Sequence, residues 1–213
     1  MPDNPPPPIK PDLGLYQTKY LLRNILRNIP GVGALSPNAL SLFAVVPGLL
    51  AAWFLMQGQW LAALLSIMGR MIVNTLDGLV AEEFNKKSNL GAYLNRLPGE
   101  FTDILIVLAL SWKVAPVSIG SMLLVPLTGW VQILGLLGLA AGGTTQSVGP
   151  CGQTDRLAII AIGCLLALLG LNGWPILIPI LCIGCGLTIV LRIFRSIRDI
   201  RKLDQTQEHM NRC

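Results

Sequence analysis

The chain has 213 residues, of which 53% are hydrophobic and 13% charged, where soluble domains carry roughly a quarter charged residues; its mean hydropathy is +0.62. That composition excludes a soluble catalytic domain, and because a spanning helix takes about 20 apolar residues, the chain has room for about six spans and little else. The net charge of +5 does not indicate nucleic acid, since the bases flank apolar runs instead of gathering on a polar face with aromatics between them.

Backbone polar groups in hydrocarbon must be satisfied internally, and the apolar runs lack the two-residue alternation of a membrane barrel, so helices are expected. The expected fold is an all-α polytopic membrane protein with six transmembrane helices behind an N-terminal amphipathic surface helix. Residues 1–13 (MPDNPPPPIKPDL) are proline-rich and expected to be a disordered tail. Within residues 14–30, Tyr20, Leu21, Ile25 and Leu26 share one helical face while Lys19, Arg23 and Arg27 lie off it. That pattern predicts a basic helix lying on an anionic membrane surface. The first apolar run begins near Leu40, after this helix and without a small-residue cleavage site behind a short core, so a cleaved signal peptide is not expected.

A transmembrane domain is expected over 36–197, with spans at about 39–57, 60–83, 92–112, 115–140, 156–172 and 174–195, followed by a polar tail over 198–213. Lys10, Lys19, Arg23 and Arg27 precede the first span, Lys86, Lys87 and Arg96 surround the second connection, Arg156 the fourth, and Arg192, Arg195, Arg198, Arg201, Lys202 and Arg212 the end. The opposite side has only Lys113. By the positive-inside rule both termini are then cytoplasmic, and a bacterial inner membrane is the expected location. Cys151, Cys164, Cys182, Cys185 and Cys213 make an odd count with three inside apolar segments, which is not a disulfide framework. The Cys182-x-x-Cys185 pair lacks a second ligand pair and is read as packing.

Polar chemistry concentrates between Asn74 and Asp103, in NTLDGLVAEEFNKKSNLGAYLNRLPGEFTD. Asn74, Asp77, Glu82, Glu83, Asn95, Glu100 and Asp103 fall at or near membrane depth, where such residues are costly and usually face a polar cavity. Asn74, Asp77 and Ala81 are spaced three and four apart and share a helical face, with Gly78 leaving backbone accessible beside them. Asn95, Gly99 and Asp103 repeat the spacing on the next span. Oxygen-bearing side chains near the cytoplasmic ends of two antiparallel helices suit a hard divalent cation such as magnesium or manganese.

Asp77-Gly78-x-x-Ala81 followed, without insertion, by Gly91-x-x-x-Asn95 resembles the signature of the CDP-alcohol phosphatidyltransferases, D-x-x-D-G-x-x-A-R, eight residues, G-x-x-x-D-x-x-x-D. The resemblance extends to the basic surface helix, to Ser36-Pro37-Asn38-Ala39-Leu40-Ser41 opening span one, and to the number of spans. It implies a membrane enzyme that moves a phosphatidyl group from a CDP-linked lipid to an alcohol acceptor, with CMP released and a phosphodiester formed. In that family four aspartates bind two divalent metals and the last is the base. By position, Asn74, Asp77, Asn95 and Gly99 take their places here, and Glu82 stands where the family has arginine.

The expected metal ligands, for Mg2+ or Mn2+, are therefore Asn74, Asp77, Asn95 and Asp103. Two amides in place of carboxylates lower the expected metal affinity. Because Gly99 has no side chain, the acid must come from Asp103 or Glu100, with Asp103 preferred and Pro98 able to change which points inward. Gly78, Ala81 and Gly91 are expected to admit the nucleotide. Arg70, deep in span two, either meets the diphosphate or pairs with a buried acid, and Arg156 either reaches a phosphate or anchors a helix start. Expected partners are the CDP-linked lipid, the acceptor and membrane lipids, and the resemblance implies a homodimer, with Gly184, Gly186 and the small residues of span four suited to the contact. Two alternatives stand beside this reading: a catalytically weakened relative retaining nucleotide or lipid binding, and a small transporter, for which no repeated halves are seen.

Overall fold

A computed structural model describes residues 35–84, 86, 88–114 and 118–212, leaving out the side chains of 89, 92 and 206–212. The proline-rich segment and the amphipathic helix expected over 14–30 lie outside the described residues. Within them every regular element is a helix: α1 (Pro37–Phe43), α2 (Val45–Gln57), α3 (Trp60–Glu83), α4 (Asn89–Val114), α5 (Ile119–Ala140), α6 (Gln153–Leu168) and α7 (Trp174–Arg212).

Helix boundaries follow local chemistry. Ser36 sits in extended backbone ahead of Pro37, whose missing N–H costs nothing in a first turn. Four residues after Phe43, Pro47 cannot donate to that carbonyl, and the helix breaks at Ala44 into α1 and α2. Gly58 closes α2 at φ 72°, a left-handed conformation that a residue with a Cβ adopts only at a cost.

Among the described residues four stretches are long and apolar enough to cross a membrane: Pro37–Gln57, Trp60–Glu83, Ile119–Ala140 and Trp174–Gln205. Six were expected, and the other two are present as helices of a different character. Helix α4 carries Arg96, Glu100, Asp103 and Lys113, which lower its hydropathy, and α6 has only 16 residues, short of the roughly 20 that a span takes. Helix α7 runs on through the segment expected as a separate polar tail, to Arg212.

Helix packing gives a ring in the order α3, α2, α4, α5, α7, α6 and back to α3. Consecutive helices α3 and α4, expected to lie side by side, meet only briefly, because α1 and α2 pack against both of them. Gly48 of α2 permits the close approach to α4: a Cβ there would stand 2.6 Å from the Cβ of Thr102. Leu55, Ile67, Ile106, Leu110, Leu124, Ile160 and Leu181 are fully buried and form the centre of the core, and Trp60 and Trp174 close one end, ring centroids 5.7 Å apart. Gly184, expected on a dimer surface, instead faces Cys151 within the chain, whereas Gly186 is open.

Candidate active site

Opposite the tryptophan pair, the bundle buries polar side chains from six helices, among them Ser41, Arg70, Asp77, Asp103, Gln132, Arg156 and Arg192. Burying charge is tolerable only with partners, so the hydrogen bonds of these groups define the site.

Asp77 is 1% exposed, and its Oδ2 accepts a hydrogen bond from Ser41 Oγ at 2.7 Å. Ser41 stands on α1, so the short helix between α3 and α4 is what holds the carboxylate. The same helix presents Asn38 to α4. A Cβ on Gly91 would come 3.0 Å from Asn38 Oδ1 and 2.9 Å from Ser88 Oγ, so the glycine makes room for α1. The two halves of the motif are thus joined through Asn38 and Ser41. Asn74 and Asn95 are half-buried, as are Gly78 and Ala81, while Glu82 is exposed.

Among the described residues Arg70 has a backbone partner on α4. It is buried, and its Nη2 donates to the carbonyl of Gly99 at 2.7 Å, bridging α3 to α4 directly.

Asp103 is completely buried. Its Oδ2 accepts from Arg156 Nη2 and Nε and from Gln132 Nε2, the last two at 3.2 and 3.0 Å. Arg156, also 0% exposed, gives Nη1 to the Cys151 carbonyl at 2.9 Å. The structure therefore places Arg156 inside the bundle as the partner of Asp103, not at the interface. The helix start is handled separately by Asp155, which accepts from Gly152 N at 3.1 Å. Gln132 Nε2 also reaches the Glu100 carbonyl at 3.2 Å, tying α5 to the same turn of α4. The Glu100 Oε2 atom is buried and makes no hydrogen bond among the described residues.

Gln132 and Gln153 were not singled out by sequence reasoning, while Ser41 entered it only within the segment opening span one and Arg192 only within the terminal basic run, not as parts of a buried site. Gln132 did carry a signal, as the lone amide in a strongly apolar run. Among the described residues no group of three or more His, Cys, Asp or Glu side chains is gathered closely enough to hold a metal ion. Cys182 and Cys185 turn to different neighbours, the Gly120 carbonyl and Cys151 Sγ at 3.3 and 3.6 Å, and both are free thiols.

Residues 34–190 match the family model of the CDP-alcohol phosphatidyltransferases. Inner membrane protein YnbA of Escherichia coli (strain K12) is 31% identical over 159 residues, covering 70% of this chain and 77% of YnbA. Phosphatidylinositol phosphate synthase of Mycobacterium tuberculosis has the same fold in two structures. The one with CDP-DAG bound has a TM-score of 0.66 at 17% identity, covering 85% of this chain and 94% of that one. The one in complex with manganese and citrate has a TM-score of 0.67 at 19% identity, covering 84% and 88%. The chain belongs to the CDP-alcohol phosphatidyltransferase family, and is an integral-membrane enzyme of phosphatidyl transfer in phospholipid synthesis.

Proposed function

We propose that the chain transfers a phosphatidyl group from a CDP-linked diacylglycerol to an alcohol at the polar end of the bundle, where α1 joins α3 to α4. In this reading six helices span the membrane with both termini cytoplasmic, since the lysines and arginines gather at that end. The observation that carries it is Asp77: a carboxylate 1% exposed, with Gly78 and Ala81 on its helix and Gly91 on the far side of α1. Small residues there let a flat nucleotide lie close to the backbone. The relatives support the ligand classes, one having been solved with CDP-DAG and again with manganese.

By the chemistry of the motif positions one hard divalent cation, Mg2+ or Mn2+, suits this chain better than two: Asp77 would supply the carboxylate and Asn74 and Asn95 amide oxygens, while Gly99 has no side chain to offer. Such a cation, when bound, stabilises charge developing on the diphosphate oxygens. Asp103, whose Oδ2 is held by Arg156 and Gln132, acts in this reading as a positioning residue for Arg156. Arg70 brings positive charge to the diphosphate side, while the charge of Arg156 is met by Asp103.

Glu100, with a buried oxygen lacking a partner among the described residues, is then the better base. The acceptor hydroxyl oxygen bonds to the phosphorus bearing the diacylglycerol, and its proton passes to Glu100. The bond from that phosphorus to the bridging oxygen breaks, and CMP leaves with the electron pair. The partners are the CDP-linked lipid, the acceptor and surrounding lipids, with Gly186 the open position on α7 where a second copy could approach. The test is CMP release from CDP-diacylglycerol by purified protein, with magnesium or manganese and after chelation. Release that is independent of metal overturns the cation, and Glu100→Gln at wild-type rate overturns the base.

A further inference from the structure

Helix α7 carries no charged side chain from Trp174 to Leu191, a stretch about 27 Å long at the helical rise and close to the roughly 30 Å of bilayer hydrocarbon. The helix does not stop there but continues to Arg212. Along this continuation Phe194, Ile197, Arg198, Arg201, Lys202 and Gln205 line an open groove of about 490 Å³. Most of these positions recur at intervals of three and four, so a single face of α7 presents them. Phe194 and Ile197 are 68% and 44% exposed, and Arg198 and Arg201 are exposed as well. The apolar pair lies at the membrane edge with the arginines just beyond it. Helical side chains lean towards the N-terminus, which on α7 is back towards the bilayer.

The acids of this stretch, Asp199 and Asp204, stand away from the groove. Asp199 Oδ2 accepts from Thr144 Oγ1 at 3.0 Å and from Gln146 Nε2 at 2.7 Å. Those bonds fix α7 to the connection between α5 and α6 and spend the carboxylate there.

A groove that is basic along one part and apolar along the other selects an occupant in which an anion is joined to a hydrocarbon chain. Residues 14–30 bring Lys19, Arg23 and Arg27, and a second α7 brings the same arginines, so both add like charge. Free phosphate would engage Arg198 and Arg201 but leave Phe194 and Ile197 against water. A phospholipid with a net negative headgroup matches both parts: an acyl chain covers the apolar pair and the phosphate meets the guanidinium groups.

We infer that this groove binds an anionic phospholipid of the surrounding leaflet, at a site sharing no residue with the one at Asp77. The experiment uses the full chain in neutral detergent, without CDP-lipid, titrated with phosphatidylglycerol or phosphatidylcholine. Bound lipid is counted by native mass spectrometry, with inorganic phosphate as competitor.

Phosphatidylglycerol is expected to bind more tightly than phosphatidylcholine. Arg198→Gln with Arg201→Gln should weaken it about thirtyfold at low salt, roughly fivefold for each base near a membrane surface. Phe194→Ser should weaken it too, whereas Arg195→Gln, on the same helix but off the groove, should cost far less than Arg198→Gln. Equal binding of the two lipids overturns the inference. Equal losses for Arg195→Gln and Arg198→Gln overturn it by leaving only a diffuse basic surface. Displacement by inorganic phosphate with Phe194→Ser at wild-type affinity makes the groove a free-anion site and overturns the lipid. A change of oligomeric state in the double variant, or a disulfide between Arg23→Cys and Arg198→Cys, gives the groove to a second copy or to residues 14–30 and overturns the inference as well.

Discussion

Where α2 passes into α3 and α6 into α7, the bundle is closed by Trp60 against Trp174, with Leu55 and Leu110 fully buried nearby in the chain of contacts that forms the core. At the other end α3, α4 and α6 bury Asp77, Arg70, Asp103 and Arg156. The first region is held by shape: a Cβ on Gly163 would stand 2.3 Å from the Trp174 ring, a fit that no polar group specifies. The second is held by pairing, each buried charge meeting a named partner on another helix. Apolar packing tolerates small errors in proportion to the volume lost, whereas a buried charge deprived of its partner loses the whole interaction. The polar end accordingly concentrates both the chemistry and the vulnerability, and substitutions at the two ends should behave differently.

The largest effect is expected at Asp77. Asp77→Asn should lower metal-dependent CMP release by at least about a hundredfold, the scale of losing one charge-stabilising group, with an unchanged elution profile on size exclusion. Next is the ion pair. Arg156→Leu leaves Asp103 buried and uncompensated and should cost about 3–5 kcal/mol of stability, measured by denaturant unfolding in detergent. Replacing both partners, Asp103→Leu with Arg156→Met, should recover much of that loss, and failure to recover it would mean that Asp103 has other demands on it.

At the apolar region, Ile67→Ala should cost about 2–4 kcal/mol through the cavity it leaves. KM for the CDP-lipid, read well below the melting temperature, should not move, and a shifted KM would break the contrast between the two ends. The smallest effect is at Ser41. Ser41→Ala removes one hydrogen bond to a buried carboxylate, worth about 1–3 kcal/mol, and should appear as a weakened manganese requirement curve with little loss of fold.

Much of this was legible in the sequence. Helix α3 was placed by its apolar run, and the shared face of Asn74 and Asp77 by their three-residue spacing, because both are local periodicities. The pairing of Asp103 with Arg156 was not legible, since the two are 53 residues apart and only the ring order of the helices brings them together. The wedge of α1 between α3 and α4 escaped for the same reason: consecutive helices are usually neighbours, and here Gly91 makes room for α1 while Gly48 lets α2 approach α4. Arg156 illustrates the limit well, as its position beside a polar turn suggested an interface, while its surroundings are entirely buried.

The central claim is that a CDP-linked lipid and a divalent cation meet at Asp77. The most direct test is a titration of CDP-diacylglycerol into the purified protein with and without manganese, comparing wild type with Asp77→Ala. The account predicts binding that strengthens with manganese in the wild type and loses that dependence in the variant. Equal, metal-independent binding by both proteins would contradict it.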